Sequence, residues 1–206
     1  MNSPYRFMAW VLLLMVPFFG LWYALGALPA APAFYVARLS MEMLLPNVVD
    51  SVSLDGTRMV ILTHFGETAG TVLPAMEAGN QLAFPADLRL MSYSVPFYAA
   101  LLFASRVSQP VERFARGLIL LWLLMALGFI SVCLKNLMLG LGDVLYTASS
   151  FPLPPRAAIA LVYQLNTLIV PTLAPVLIWA WLASDAQLFT RFRRTPESHT
   201  GSDAEQ

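Results

Sequence analysis

Apolar residues of this chain fall in blocks of membrane-spanning length, separated by shorter polar segments. The first block runs from Met8 to Leu28, and roughly 20 apolar residues match a hydrocarbon core about 30 Å thick. A cleaved signal peptide is the main alternative, because small residues follow the block. The block is longer than a typical signal core, however, and Pro29 and Pro32 crowd the cleavage region. We therefore interpret it as a retained membrane helix.

Three further apolar blocks follow at 89–105, 117–141 and 157–183. The block at 89–105 is short and carries Pro96 within its first turns, so we expect it to start irregularly at the interface. The block at 117–141 is continuous, whereas Pro171 interrupts the last one. Together with the first block, they predict about four transmembrane helices.

The segment after the first block has a mixed pattern that predicts a helix in the outer membrane interface. Arg38 and Glu42 share one face of this helix, which is too short and too charged to span. Apolar residues recur at helical spacing on another face, at Phe34, Ala37, Met41 and Leu44 or Leu45.

The next segment is the only one with strand character. Asp55-Gly56 joins two β-branched runs, 48–54 and 57–63, and this arrangement predicts a hairpin because glycine readily adopts φ > 0. Weaker extended pieces follow at 71–73 and 81–84. Because a lone hairpin is marginal in water, we expect three or four strands resting on the membrane or on a partner.

Lysine and arginine residues orient the predicted spans, since they concentrate in short cytoplasmic flanks. Four spans with both termini in the cytoplasm put every dense cluster on one side, whereas three spans would leave one cluster outside. The clusters are Arg6; Arg106, Arg113 and Arg116; and Arg191, Arg193 and Arg194.

The predicted fold is thus an all-α membrane bundle of about four transmembrane helices with a small β-rich extracytoplasmic insertion. Its segments are the cytoplasmic amino terminus with the first helix (1–28), the interfacial helix (29–46), the external β-rich insertion (47–88), the second helix (89–105), a cytoplasmic loop (106–116), the third helix (117–141), an external loop (142–156), the fourth helix (157–183) and a disordered cytoplasmic tail (184–206).

Composition supports the membrane assignment and narrows the function. Of 206 residues, 58% are hydrophobic and 12% charged, whereas soluble domains carry roughly twice that charged fraction. The formal net charge is +0, so no basic excess exists to neutralise nucleic-acid phosphates. Metal-ligand spacing, a phosphate-binding loop and a dinucleotide fingerprint are all lacking, so we expect no cofactor.

Polar residues within the apolar blocks are candidates for function. Lys135-Asn136 lies in or at the end of the third predicted span, and an ionisable residue there is a functional candidate unless it snorkels to the interface. Gln164 and Asn166 form a polar set on the fourth span, which either packs helices together or lines a small cavity. Asp87, Arg89, Asp143 and Arg156 fall at outer span ends, where solvated flanks are the ordinary interpretation.

The single cysteine, Cys133, lies in the third block. As a nucleophile it would need a base and an orienting group, for which His64 with Arg89 or Arg156 are the candidates outside the membrane. A buried small hydrophobe is the ordinary state of such a cysteine. The insertion offers the other candidate surface, around Asp55, Arg58 and His64.

The order of these parts resembles a known family. A retained first helix, an external strand-rich stretch and a second helix approached through ADLRLMSYSVPFYAALLFAS (residues 86–105) are similar to the exosortase H-associated membrane proteins. The resemblance implies a Gram-negative inner-membrane protein that accompanies a sorting transpeptidase-like protease, which acts on exported proteins with short carboxy-terminal signals. That family has no assigned catalytic residues, so none is carried over, and the chain resembles the companion and not the enzyme.

The leading hypothesis is therefore a non-enzymatic accessory subunit embedded in the lipid bilayer, with an exosortase-like membrane protein or a second copy of itself as partner. One alternative is an intramembrane thiol enzyme that uses Cys133 with His64. Another is a small carrier or channel subunit built on the proline-broken fourth helix with Lys135 and Asn166.

Overall fold

The computed structural model describes residues 4–183, and it is mostly helical with a small antiparallel sheet. The helices are α1 (Pro4–Leu25), a 3₁₀ turn (Leu28–Ala30), α2 (Ala31–Leu44), α3 (Ala75–Ala78), α4 (Arg89–Ser92), α5 (Ser94–Ala104), α6 (Pro110–Leu141), α7 (Asp143–Ala148), α8 (Arg156–Gln164), a π-helical turn (Leu165–Ile169) and α9 (Val170–Leu182). The strands are β1 (Val49–Asp55), β2 (Arg58–Thr63), β3 (Phe65–Thr68), β4 (Thr71–Pro74) and β5 (Ala83–Asp87).

The described residues contain three helices long and apolar enough to cross a membrane, Tyr5–Leu25, Pro110–Leu141 and Arg156–Leu182. The second predicted span, 89–105, is divided into α4 and α5. The 11 residues of α5 rise only about 17 Å at 1.5 Å per residue, roughly half of a hydrocarbon core. A mostly helical fold with three candidate membrane-spanning helices and a small antiparallel sheet is therefore confirmed, but the count of four spans is not.

The helices alternate in direction. Arg89 lies over the ring of Tyr23 with its guanidinium carbon 4.5 Å from the ring centroid, and Arg106 lies 5.3 Å from the ring centroid of Trp10. The segment from α4 to the end of α5 thus runs antiparallel beside α1. We call the end that carries Arg6, Arg106, Arg113 and Arg116 the arginine end, and the opposite end the sheet end.

Contacts at the arginine end also join α9 to α1 and α6. Phe7 stacks on Trp179 with ring centroids 5.5 Å apart, and the guanidinium of Arg113 donates to the carbonyl of Leu182. The arginines at 191, 193 and 194 and the predicted tail, 184–206, lie outside the described residues.

The longest helix, α6, begins at Pro110, so most of the predicted loop 106–116 is helical. Proline is favoured at the first position of a helix because its missing N–H would have no partner there. The 32 residues of α6 rise about 48 Å, which exceeds a hydrocarbon core of about 30 Å. A helix of this length projects beyond the core at one end or at both, and β5 of the sheet packs against its last turns.

Three glycines of α6 make room for side chains of residues 84–98, the segment that runs from β5 into α5 and packs along α6. A Cβ atom at Gly140 would overlap the ring of Phe84, one at Gly128 the sulfur of Met91, and one at Gly117 the ring of Tyr98. These three contacts follow one another along α6 from the sheet end to the arginine end. Close packing along α6 thus depends on the absence of a side chain at three levels.

The hairpin predicted at Asp55-Gly56 is present. Asp55 pairs with Arg58 across a turn in which Gly56 has φ +59°, and β5 pairs with β2 to complete an antiparallel sheet of three strands in the order β1-β2-β5. The weaker extended pieces predicted at 71–73 and 81–84 correspond to β4 and to the start of β5. Strand β3 and its pairing with β4 in a second, two-stranded sheet were not predicted, so the insertion has five strands where three or four were expected.

One face of α2 is buried against protein. Phe34, Ala37, Met41 and Leu45 are buried while Leu44 is exposed, so Leu45 continues the predicted stripe. The buried face contacts α6 and β1, and at its start Trp122 of α6 donates to the carbonyl of Pro29 at 2.8 Å.

The polar face of α2 fastens it to the sheet. Arg38 and Glu42 form an ion pair at 3.0 Å, and the same carboxylate oxygen of Glu42 accepts the backbone N–H of Val52 at 3.2 Å. The predicted charged face is therefore an intramolecular link between α2 and β1.

Candidate functional site

Lys135 rests on an aromatic ring. Its ammonium nitrogen lies 4.7 Å from the ring centroid of Tyr163, so the contact joins α6 to α8, and the side chain is half-buried. Attraction between a cation and the face of a ring stabilises such a pair, the more so where water is scarce. Among the described residues, no carboxylate lies within ion-pair distance of this ammonium.

A groove of about 260 Å³ runs between α6 and α8 next to this contact. Only Ser131 and Asn166 contribute polar side chains to its walls. The hydroxyl of Ser131 already donates to the carbonyl of Gly128 at 2.7 Å. The remaining walls are almost entirely apolar. The lining residues are Leu127, Ile130, Ser131, Leu134, Pro154, Ala158, Ile159, Val162 and Asn166.

Asn166 lies at the arginine-end limit of the groove and also lines a void of about 10 Å³ between α4, α6 and α9. A void of that size is at the lower limit for a single water molecule. Gln164 is exposed and does not line the groove, so the two predicted polar residues are not brought together at one site.

The π-helical turn places Asn166 just before Pro171. Proline has no N–H to donate to the turn before it, and a π turn is a common way to accommodate the lost bond. The hydroxyl of Thr167 donates to the carbonyl of Tyr163 within the same helix at 2.7 Å, so it does not join helices.

Asn136 links the sheet to α6 through a hydrogen bond. Its side-chain amide donates to the carbonyl of Pro85 in β5 at 3.1 Å. It lies one residue from Lys135, yet the two side chains have different partners, Tyr163 and Pro85.

Cys133 and His64, the predicted nucleophile and base, have separate surroundings. Cys133 of α6 is completely buried in a hydrophobic cluster that also includes residues of α2 and of the sheet. His64 is half-exposed on the sheet, with Nδ1 3.7 Å from a carboxylate oxygen of Asp50. The third candidates are engaged elsewhere, since Arg156 pairs with Asp143 and Arg89 contacts two aromatic rings.

The hairpin tip exposes opposite charges side by side. Asp55 and Arg58 are directly paired in the strand register and both are exposed. His64 and Asp50 are exposed near the opposite end of the same hairpin. We call these four residues together the hairpin surface (Asp50, Asp55, Arg58 and His64).

One feature that the sequence did not predict is the environment of Arg89. Its guanidinium lies 4.5 Å from the ring centroid of Tyr23 and 6.0 Å from that of Trp22. Its Nε is buried and has no hydrogen-bond acceptor among the residues that the structure describes. The indole of Trp22 donates in turn to Ser92 at 3.0 Å. The sequence contains a signal for this contact. Trp22-Tyr23 lies near the end of the first apolar block, and Arg89 lies at the start of the second.

Apolar helices of spanning length, with a small antiparallel sheet packed on the end of the longest, define an integral membrane protein with a folded insertion. The model of a family described as exosortase H-associated membrane protein matches residues 1–186. The chain belongs to this family, which confirms the resemblance inferred from residues 86–105. Comparisons with curated proteins and with solved structures gave no match.

Proposed function

We propose that the chain is a non-enzymatic accessory subunit of an exosortase H system. In this proposal it is a membrane module that presents the hairpin surface to the enzyme or to the exported proteins that the enzyme sorts. Membership of a family described by its association with exosortase H carries the proposal.

The packing of α1 is consistent with a subunit that meets a partner inside the bilayer. Of the side chains in Tyr5–Leu25, only that of Val11 is buried. Leu12, Leu13 and Val16 are exposed, and an exposed apolar helix face in a membrane contacts either lipid or another helix. A partner helix has room to pack there without any change in the chain's own core.

The surroundings of Cys133 support a role other than thiol catalysis. A nucleophile needs a base within hydrogen-bond reach and access for the substrate. Cys133 has neither, because apolar side chains of the core enclose it.

We further propose four membrane crossings, with both termini in the cytoplasm of a bacterial inner membrane. The contacts of Arg89 and Arg106 with opposite ends of α1 support a crossing by α4 and α5 together. The concentration of arginines at one end of the bundle supports a cytoplasmic location for that end.

Co-purification tests the accessory role. The affinity-tagged chain, extracted in mild detergent from cells that express the exosortase, is expected to bring the enzyme down with it. The double variant Asp55→Ala, Arg58→Ala is expected to recover less enzyme, whereas Glu77→Ala, an exposed acidic residue of α3 outside the hairpin surface, serves as the matched control. Reproducible isolation of the wild-type chain without the enzyme would refute the proposal.

A sorting assay tests the non-enzymatic role separately. Cys133→Ala is expected to support sorting of an exported protein as well as the wild type does, provided that the variant is present in the membrane at the same level. Loss of sorting by a stably expressed Cys133→Ala variant would favour a thiol enzyme.

A further inference from the structure

We propose that the groove between α6 and α8 binds one anionic phospholipid of the leaflet at the sheet end, with an acyl chain in the groove and the phosphate at Lys135. The proposal is independent of the partner enzyme.

The depth of Lys135 in the membrane is the first argument. Gly128 of α6 packs against Met91, close to the contact of Arg89 with Tyr23 at the sheet end of α1. Lys135 lies seven residues, about 10 Å, further along α6. Aromatic and basic residues mark the membrane interface, and a lysine side chain is long enough to reach back toward it, so the ammonium can meet a lipid phosphate there.

The charge of Lys135 is the second argument. Among the described residues it has an aromatic ring as partner and no carboxylate. Arg156 is also at this end, but Asp143 neutralises it. A cation without an acidic partner at a membrane boundary attracts anionic headgroups.

The position of the groove relative to Lys135 is the third argument. Leu134 precedes Lys135, and Ser131 lies one helical turn before it; both line the groove. Val162, which precedes Tyr163, lines the facing wall. The groove thus begins beside a cation and continues as an apolar channel toward the centre of the bilayer. This arrangement matches a phospholipid, in which an anionic headgroup at the surface is followed by an apolar acyl chain.

Native mass spectrometry of the detergent-purified full chain tests the site. Phosphatidylglycerol is the anionic probe and phosphatidylcholine the zwitterionic one, each added at the same concentration. The wild type is expected to retain phosphatidylglycerol in preference to phosphatidylcholine. Lys135→Gln is expected to lower that retention about fivefold, the effect of one basic residue near a membrane surface.

Two matched pairs of variants separate this site from general effects. Arg58→Gln removes the same charge from the exposed hairpin and is expected to leave retention unchanged. Ala158→Phe fills the groove and is expected to lower retention, whereas Ala157→Phe, at the exposed neighbour that does not line the groove, is not. Equal retention of the two lipids, or equal losses within either pair, would overturn the proposal.

Discussion

Tyr98 occupies the space that a side chain at position 117 would fill, and the contact fixes the spacing between α5 and α6. Its ring is fully buried, and its hydroxyl donates to the carbonyl of Arg113 at 2.8 Å. A buried ring held at its far end cannot move aside as a flexible chain does. Gly117 is thus required by the packing and not by its backbone conformation, which is helical.

Gly117→Ala is therefore expected to destabilise the protein, although alanine favours helices. The overlap with Tyr98 is expected to cost about 1–3 kcal/mol, as for other overpacked cores. Gly20→Ala in α1 is the matched control, because no atom lies within 4 Å of the added methyl group. Thermal unfolding in detergent, followed by circular dichroism, measures both. Equal stability of the two variants would contradict the role of Tyr98.

At the same scale, the sequence indicated which polar residues lie within the apolar blocks but not their partners. Lys135 and Asn136 stood out because they are polar within an apolar block. Their partners, Tyr163 and Pro85, are distant in sequence, and Pro85 is 51 positions away. Such pairs are set by how helices and strands pack, which periodicity within one segment does not contain.

Among the elements, those with strong local signals were predicted and those formed by tertiary contacts were not. The hairpin follows from Asp55-Gly56 between β-branched runs, and the buried stripe of α2 follows from helical spacing. Strand β3, Phe65–Thr68, has no such pattern, and its pairing with β4 is supported by Asn80, whose side chain bonds to the backbone N–H and carbonyl of Glu67. Contacts of this kind outweigh local propensity.

The attachment of β5 to α6 can be tested by hydrogen exchange. Asn136→Ala removes the bond to Pro85, so amides of β5 and β2 are expected to exchange about fivefold faster, the effect of one lost hydrogen bond. Asn166→Ala is the matched control, because Asn166 lies in the groove and not beside the sheet. Unchanged exchange in Asn136→Ala would show that pairing with β2 and packing at Gly140 hold the strand without this bond.

For the whole molecule, the central question is whether α4 and α5 carry the chain across the membrane. Together they link opposite ends of α1, through Arg89 at one end and Arg106 at the other. A segment that turned back within the bilayer would return to the end where it began. The path of the chain therefore favours a crossing, even though α5 alone is too short.

Site-directed labelling distinguishes the two topologies. In a Cys133→Ala background, single cysteines at Ser53, Ala115 and Ser150, all exposed, report on the hairpin, the start of α6 and the segment before α8. A membrane-impermeant maleimide applied to spheroplasts is expected to label positions 53 and 150, and position 115 only after permeabilisation. Labelling of 53 and 115 from the same side would instead support three crossings.

The continuity of α6 has a mechanical consequence. Its membrane-embedded turns and the turns that contact the sheet belong to one continuous helix. After Pro110 this helix contains no further proline and no π turn that would act as a hinge. When the embedded half tilts, the projecting half and the sheet packed on it tilt through the same angle. A push on the helix from a neighbour in the bilayer is thus converted into a sideways displacement of the hairpin above it.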